Sequence, residues 1–387
     1  MLRYLPVAFL ICPGRAGGGF VQSILDSHPQ ILMLPMELKF HIQWERACEG
    51  RNLDLEEMVD FWTTKTKITH FKKGVLYGIQ AETESFSNCD FKEYQDFFTD
   101  ILKRDGLSKL DVFYALHEAY AKAIGQDLKN IRMLIEFPGR THMLDKICAE
   151  FPNSKFIEIV RDPRANFMSL KNEILRSNGN FVQRRGVFYS NLLVRIIKDL
   201  KIDYEHIVNF RFAGKKDKWF MVRNEELHLN YGITVDKLAK WLKISFNPSL
   251  NESTLGGRPW LGNSSTGKPV RGASLEVVNR WRSEILPNEK IMIEYLFRKH
   301  ILRYSYNSLS KEVFTFRTLL QPIKGEFSIM KQVHKPQSFI MSYLWNFNPS
   351  FVITMRKFIR IDKLLLIPLF YIQSRIWLIR YMNKNSN

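Results

Sequence analysis

The stretch PVAFLICPGRAGGGF at residues 6–20 decides the fold. The apolar run Pro6–Cys12 predicts a buried strand, which leads directly into a turn with four glycines and one arginine, Arg15. A helical pattern of apolar residues begins at Phe20. Such a strand–turn–helix can bind phosphate, because glycines let backbone N–H groups converge and the helix adds its positive N-terminal end. The stretch therefore predicts an anion-binding turn at the edge of a parallel sheet, although glycine clusters also form ordinary tight turns.

Apolar runs and helical patterns alternate along the rest of the chain. The further predicted strands are Ile131–Phe137, Phe156–Val160 and Trp219–Arg223. The predicted helices are Leu110–Ile124, Gly186–Leu200, Val235–Leu242 and 274–286. This alternation predicts an α/β fold with three α/β/α layers around a central, mostly parallel sheet. Because the character of the sequence changes near residue 310, we expect a catalytic domain over 1–310 and a mainly helical extension over 311–387.

The extension 311–387 is basic and rich in aromatic residues. It holds 12 Lys and Arg against 3 Asp and Glu. The run 336–355 is too polar for a membrane span, and Leu364–Ser374 is too short. Two interpretations stay open: helices that lie on an anionic membrane surface, or helices that pack on the catalytic domain or on the partner in a homodimer.

The composition of the 387-residue chain is that of a globular protein. Hydrophobic residues make up 45% and charged residues 25%, which excludes a disordered or collagen-like chain. Lys and Arg number 57 and Asp and Glu 39, so the net charge is +18 and the expected partners are anionic. No nucleic-acid-binding module is recognisable, so nucleic acid is not an expected partner.

The cysteines and the N-terminus predict a cytoplasmic protein. The four cysteines lack CxxC spacing, which disfavours a zinc site or a disulfide scaffold and favours reduced thiols. We therefore expect no metal. The apolar run Leu5–Ile11 is shorter than the core of a secretory signal, so we expect neither a leader nor a membrane anchor before the first strand.

A second strand–turn–helix element occurs at residues 156–169, with the sequence FIEIVRDPRANFMS. The predicted strand ends at Arg161, Pro163 suits the first turn of a helix, and Ser169 follows about two turns later. Arginine can grip a phosphate with two N–H groups, and serine adds a further donor. Two such elements in one sheet could hold both ends of a nucleotide that carries phosphate at two positions.

These residues resemble the sulfotransferases that use 3′-phosphoadenosine 5′-phosphosulfate (PAPS). The first family motif is similar to residues 14–20, followed by a helix, by His28-Pro29 and by Glu37. The second is similar to residues 151–157, which run into 161–164, and the step from Arg161 to Ser169 also matches. Weaker similarities occur at residues 222–227, 260–264 and 279–282.

The resemblance implies transfer of a sulfuryl group from PAPS to a hydroxyl or amine of a carbohydrate, a lipid-linked glycan or a small metabolite. It implies that the turn holds the 5′-phosphosulfate and that Arg161 and Ser169 hold the 3′-phosphate. A late loop, with Lys268, Arg271 and Gly272, would close over the nucleotide. The implied residues of the turn are Gly14, Arg15, Ala16, Gly17, Gly18, Gly19 and Phe20.

The same resemblance implies catalytic roles. Arg15 is placed to neutralise negative charge on the leaving oxygen, and Glu37 is the expected general base. His41, four residues after Glu37, and His142 are the alternative bases.

The sequence departs from the family pattern in two places. Ala16, Gly18 and Gly19 stand where relatives commonly carry hydroxyl side chains, and Glu136 stands where many relatives place a lysine. A catalytically degenerate binding protein with the same fold is therefore one alternative. A P-loop nucleotide kinase is another, although the turn lacks the Lys-Ser/Thr pair that ends such a loop.

Overall fold

The computed structural model of the protein describes residues 2–69, 89–139, 141–176, 192–212, 218–262, 270, 272–306, 309–310, 314–327 and 371–382. The chain forms two compact units. The first is Met1–Arg161 with Asp203–Val278, and the second is Asp162–Ile202 with Asn279–Asn387. Residues 279–310 thus belong to the same unit as the extension, and the predicted division at residue 310 stays a prediction.

A five-stranded sheet forms the centre of the first unit. Its strands are β1 (Val7–Ile11), β2 (Ile31–Met33), β3 (Met133–Glu136), β4 (Lys155–Val160) and β5 (Trp219–Arg223). They lie in the order β2-β3-β1-β4-β5, and every neighbouring pair is parallel. A separate antiparallel hairpin pairs β6 (Thr254–Leu255) with β7 (Arg258–Pro259). The predicted α/β fold with a mostly parallel central sheet is confirmed.

Strand β1 lies in the middle of this sheet, and all its residues are buried. A central parallel strand is covered on both faces, which is why its sequence is a continuous apolar run. The chain forms β2 and β3 on one side of β1 and then β4 and β5 on the other. Ligands of open α/β sheets bind beyond the carboxyl ends of the strands at such a reversal of strand order. The topology therefore places the candidate site beyond Ile11, Glu136 and Val160.

Helices account for most of the remaining described residues. They are α1 (Gly18–Leu25), α2 (Phe40–Cys48), α3 (Leu55–Asp60), α4 (Phe91–Asp105), α5 (Lys109–Ala123), α6 (Leu144–Glu150), α7 (Pro163–Arg176), α8 (Leu192–Phe212), α9 (Asn224–Leu229), α10 (Tyr231–Leu242), α11 (Leu275–Asn279), α12 (Trp281–Glu284), α13 (Pro287–Leu296), α14 (Arg298–Arg303), α15 (Phe316–Leu320) and a helix over 371–382. Several of these helices have a capping side chain at the N-terminus. Asp54, Asp90 and Ser108 accept hydrogen bonds from N–H groups in the first turns of α3, α4 and α5.

Several elements differ from the sequence predictions. Helix α8 continues to Phe212, past the predicted end at Leu200, and residues 186–191 of that prediction lie outside the described residues. Helix α10 begins at Tyr231, before the predicted start at Val235. Strand β2 was not predicted, because three residues are too few to show a pattern. The predicted helix over 274–286 is divided into α11 and α12. At the break the Ser283 N–H donates to the Arg280 carbonyl, three residues back, in place of an α-helical bond. The break falls where the chain passes from the first unit to the second.

Buried ion pairs hold the second unit together. They are Arg164–Asp162, Arg164–Glu294, Lys171–Glu289 and Arg375–Glu326. The last pair, 2.8 Å long, joins the helix over 371–382 to the segment before residue 328. A buried charge requires its partner, so loss of Glu326 would leave Arg375 uncompensated. Part of the basic extension is therefore packed within the second unit.

The described part of the extension also exposes large apolar side chains. They are Phe316, Leu320, Phe327, Ile372 and Ile376. Among the described residues, no helix combines the length and the apolar character that crossing a bilayer requires.

His117 on α5 is a fully buried titratable group in the first unit. Its Nδ1 donates to the Phe113 carbonyl at 2.8 Å, and its Nε2 has no hydrogen-bond partner among the described residues. Burial lowers the pKa of His117 from 6.5 to about 4, only partly opposed by the Phe113 bond. The unfolded chain therefore binds more protons than the folded one between pH 6.5 and pH 4.

We expect His117 to make the protein less stable as the pH falls through this window. The stabilisation is complete above pH 6.5 and is lost toward pH 4, by about 2 kcal/mol at pH 5. In the variant His117→Phe, the loss of stability between pH 7 and pH 5 should be smaller by about that amount. Urea unfolding at the two pH values measures it, and an equal loss in both proteins would contradict this role of His117.

Candidate active site

Residues 12–17 form the turn that connects β1 to α1. The Ala16 N–H donates to the Pro13 carbonyl at 3.1 Å, and the Phe20 N–H donates to the Gly17 carbonyl at 3.0 Å. Arg15 has a φ of +66° and Gly17 a φ of +106°. A left-handed conformation costs a residue with a side chain roughly 1–2 kcal/mol, and such residues concentrate at binding sites. The turn thus contains strained backbone and is held by its own hydrogen bonds. It leads into the N-terminus of α1, which suits an anion.

Two glycines of the turn are required by close packing. A Cβ at Gly17 would lie 2.1 Å from Asn224 Nδ2, just beyond β5. A Cβ at Gly18 would lie 2.6 Å from Phe137 Cζ and 2.7 Å from Cys12 Sγ. In contrast, a Cβ at Gly14 would meet nothing within 4 Å. The turn is therefore clamped at its C-terminal end by residues beyond two other strands, while it stays open at Gly14.

Arg161, directly after β4, contacts this turn. Its Nη1 donates to the Arg15 carbonyl at 3.1 Å, and its Nη2 donates to the Val277 carbonyl at 2.9 Å. The Tyr204 hydroxyl donates to the Arg161 carbonyl. The structure thus brings together Arg15 and Arg161, the two arginines that the sequence predicts for phosphate binding.

The segment that begins at Gly272, after the late loop, also lies close to the start of α1. The ring of His228 stacks on Phe20 with 4.9 Å between centroids, and its Nδ1 accepts the Ser274 N–H at 3.0 Å. Burial, together with the charge of Arg161, lowers the pKa of His228 to about 4. A neutral His228 therefore links the start of α1 to residues just beyond Gly272, which itself has a φ of +63°.

Glu37 lies at the same edge of the sheet, between two lysines. Its Oε2 is 3.2 Å from Lys39 Nζ and 3.8 Å from Lys67 Nζ. The Lys39 side chain runs over Gly139, where a Cβ would lie 2.6 Å from Lys39 Cε. The side chain of Glu37 is 36% exposed, so a carboxylate held by two ammonium groups is accessible from outside.

Glu136, the last residue of β3, adds a buried carboxyl next to Glu37. Its Oε1 accepts the Phe40 N–H at 3.4 Å, and its Oε2 has no hydrogen-bond partner among the described residues. Burial, with a smaller contribution from the charge of Glu37, raises the pKa of Glu136 to about 8. Burial and then the charges of Glu37 and Asp203 likewise raise the pKa of Cys12. Glu136 and Cys12 are therefore neutral at pH 7. The glutamate that replaces the lysine of many relatives at position 136 thus adds no negative charge beside the turn.

His41 lies in the core of the first unit rather than on an accessible surface. It is 1% exposed and packs against the rings of Phe9, Phe40 and Phe151. Its Nε2 is 2.9 Å from Glu150 Oε2. This position favours a structural role over that of an alternative base.

Four of the predicted residues cannot be compared with this geometry. Lys268 and Arg271 lie outside the described residues, and so does the side chain of His142. Ser169 is on α7 in the second unit, where it is buried. Their roles stay predictions.

Asp203 is a residue of the site that no sequence pattern marks. Its Oδ2 accepts the Gly14 N–H at 3.3 Å, and its Oδ1 accepts the Thr141 hydroxyl at 2.9 Å. The Thr141 hydroxyl is also 3.3 Å from His206 Nδ1. Asp203 follows β1 by about 190 residues and lies within a long helical pattern, so only the tertiary structure brings it to the turn.

The packing of the turn predicts opposite outcomes for two of its glycines. Gly17→Ala combines a left-handed conformation with the contact to Asn224, so we expect a melting temperature about 5 °C lower or more. Gly14→Ala, the matched control, should stay within about 1 °C of the wild type, because its Cβ enters open space. Thermal melts measure both. Equal melting temperatures for the two variants would contradict the described packing.

Comparison with known proteins bears on this site. The sequence matches the profile of the Sulfotransferase family over residues 6–248, and none of the curated proteins matches it. The sulfotransferase domain of the olefin synthase from Synechococcus PCC 7002 is 17% identical with a TM-score of 0.49, and the match covers 79% of this chain and 96% of that one. The sulfotransferase domain from the curacin biosynthetic pathway is 18% identical with a TM-score of 0.49, and the match covers 79% of this chain and 100% of that one. The sulfotransferase from Alicyclobacillus acidocaldarius is 12% identical with a TM-score of 0.41, and the match covers 79% of this chain and 97% of that one.

The three TM-scores are below 0.5, so the family assignment rests on the profile match. That match spans more than half of the chain and includes both predicted motifs, at residues 14–20 and 151–164. The resemblance stated from these motifs is confirmed: the chain belongs to the sulfotransferase family.

Proposed function

We propose that this protein transfers a sulfuryl group from PAPS to a hydroxyl or amine of an acceptor. The observation that carries the proposal is the contact of Arg161 with the Arg15 carbonyl, which joins the two predicted phosphate-binding elements at one sheet edge. PAPS, when bound, supplies the sulfuryl group and a bisphosphate leaving group. The turn fits one end of such a donor, because it leads into the N-terminus of α1, where backbone N–H groups favour an anion.

Arg15 and Arg161 would share the work of binding. The turn with Arg15 would hold the 5′-phosphosulfate, and Arg161, with Ser169 as a predicted further donor, would hold the 3′-phosphate. Sulfuryl transfer resembles phosphoryl transfer, in which negative charge grows on the leaving oxygen. A cation placed at that oxygen contributes roughly 10²–10³ in rate. Arg15, which is part of the turn itself, is the residue we assign to this role.

Glu37 is the residue we propose as the general base. Its carboxylate is accessible and lies beside the turn, and a positioned base contributes roughly 10²–10⁴ in rate. The ammonium groups of Lys39 and Lys67 hold the carboxylate in position. Of the two alternative bases, His41 is buried against Glu150, so an acceptor in solution does not reach it.

For the acceptor we propose a glycan, a lipid-linked glycan or a small hydroxylated metabolite in the cytoplasm. Support for a membrane-associated acceptor comes from the extension, which joins a basic sequence to exposed apolar residues such as Phe316 and Ile372. Basic segments with exposed apolar and aromatic side chains bind anionic membrane surfaces. A peripheral position on such a surface is part of the proposal.

Nucleotide binding tests the donor site. Adenosine 3′,5′-bisphosphate should bind the purified protein at micromolar Kd in a calorimetric titration. Arg161→Ala should weaken binding by roughly 10–150-fold, the range for lost hydrogen bonds to a charged group. Arg132→Ala removes an exposed arginine before β3, at the opposite edge of the sheet, and should change nothing. Absence of nucleotide binding by the wild type would overturn the proposal.

Turnover tests the base. In an acceptor screen with labelled PAPS, Glu37→Gln should lower kcat by roughly 10²–10⁴ and leave nucleotide affinity unchanged. Glu45→Gln is the matched control, because Glu45 is also an accessible carboxylate paired with a lysine, Lys146. Unchanged turnover of the Glu37 variant on an accepted substrate would remove Glu37 from the mechanism.

A further inference from the structure

The open end of the turn is already in contact with a negative charge. Asp203 Oδ2 accepts the Gly14 N–H at 3.3 Å, and Gly14 is the turn glycine beside which a Cβ would find free space. The charge of Asp203 also reaches Cys12, whose pKa it helps to raise. A carboxylate oxygen and a phosphate or sulfate oxygen seek the same backbone donor. The turn thus contacts a carboxylate that belongs to the protein itself.

A second anchor holds this carboxylate from the other side. Thr141, which is 3% exposed, donates to Asp203 Oδ1 at 2.9 Å. The Thr141 hydroxyl lies 3.3 Å from His206 Nδ1, one turn further along α8. Asp203 therefore keeps a hydrogen bond to Thr141 when its other oxygen leaves Gly14. Displacement from the turn does not strip the carboxylate of every donor.

We propose that Asp203 is a specificity-determining residue that occupies the phosphate turn until the donor nucleotide displaces it. The proposal rests on the proposed function, since it takes the turn as the site of the 5′-phosphosulfate. An incoming anion must replace the Gly14 contact and tolerate the charge of Asp203 nearby. A ligand with a second phosphate on Arg161 has binding energy to offset this penalty. Free sulfate and free phosphate have none, so Asp203 keeps them out of the turn.

The neutral variant Asp203→Asn tests the proposal. It keeps the size of the side chain and removes the charge, so adenosine 3′,5′-bisphosphate should bind about tenfold tighter or more in a calorimetric titration, where tenfold corresponds to about 1.4 kcal/mol. Inorganic sulfate should gain affinity by a similar factor. Adenosine 3′-monophosphate has no 5′-phosphate for the turn, so its affinity should change less than twofold.

Two controls separate this effect from a change of net charge or of folding. Asp127→Asn removes an exposed carboxylate just before β3, at the opposite edge of the sheet, and should leave all three affinities unchanged. Without ligand, the melting temperature of the Asp203 variant should be equal to or below that of the wild type, because the Gly14 contact is weaker. With the bisphosphate, its rise in melting temperature should be larger. Asp203→Ala, a second neutral variant, should likewise have an equal or lower melting temperature without ligand and a larger rise with the bisphosphate.

The outcomes distinguish this proposal from the proposed function. If the wild type binds the bisphosphate and the Asp203 variants bind it equally or more weakly, Asp203 has only a structural role and this inference is overturned. If they gain affinity equally for adenosine 3′-monophosphate, the carboxylate does not act at the turn. If neither wild type nor variants bind the bisphosphate or sulfate, the proposed function is overturned together with it.

Discussion

The burial of β1 between β3 and β4 is the constraint on which the candidate site depends. A strand covered on both faces and paired in parallel on both edges has one register with its neighbours, so the carboxyl ends of all three strands meet at one place. The turn after β1, Phe137 after β3 and Arg161 after β4 therefore come together. The absence of side chains at Gly17 and Gly18 then allows contacts that any Cβ would prevent.

Three carboxyl groups lie at the candidate site, and the structure holds each of them in a different way. Glu136 is buried and stays protonated at neutral pH. Glu37 is accessible and is neutralised by Lys39 and Lys67. Asp203 accepts hydrogen bonds from a backbone N–H and from a hydroxyl. The three carboxyl groups thus differ in burial and in their partners, although they lie at the same end of the sheet.

Much of the fold was predictable because its signals are local. Strands β1, β3, β4 and β5 lie within one or two residues of the predicted runs, since buried parallel strands are continuous apolar stretches. The turn was predictable because glycine clusters mark tight turns, and Gly17 has a φ of +106°, which glycine adopts without strain. Strand β2 was too short to show a pattern, and the break between α11 and α12 falls where the chain changes from one compact unit to the other.

The site divides in the same way. The amino-acid sequence by itself determined the parallel sheet, the glycine-rich turn after β1 and the arginine after β4, because strand–turn–helix signals lie within short segments. Only the tertiary structure decided the surroundings of Glu37, the burial of His41 and the contact of Asp203 with Gly14. Those depend on residues from about 30 to 190 positions away, and their energies come from distance and burial, which are properties of the folded chain.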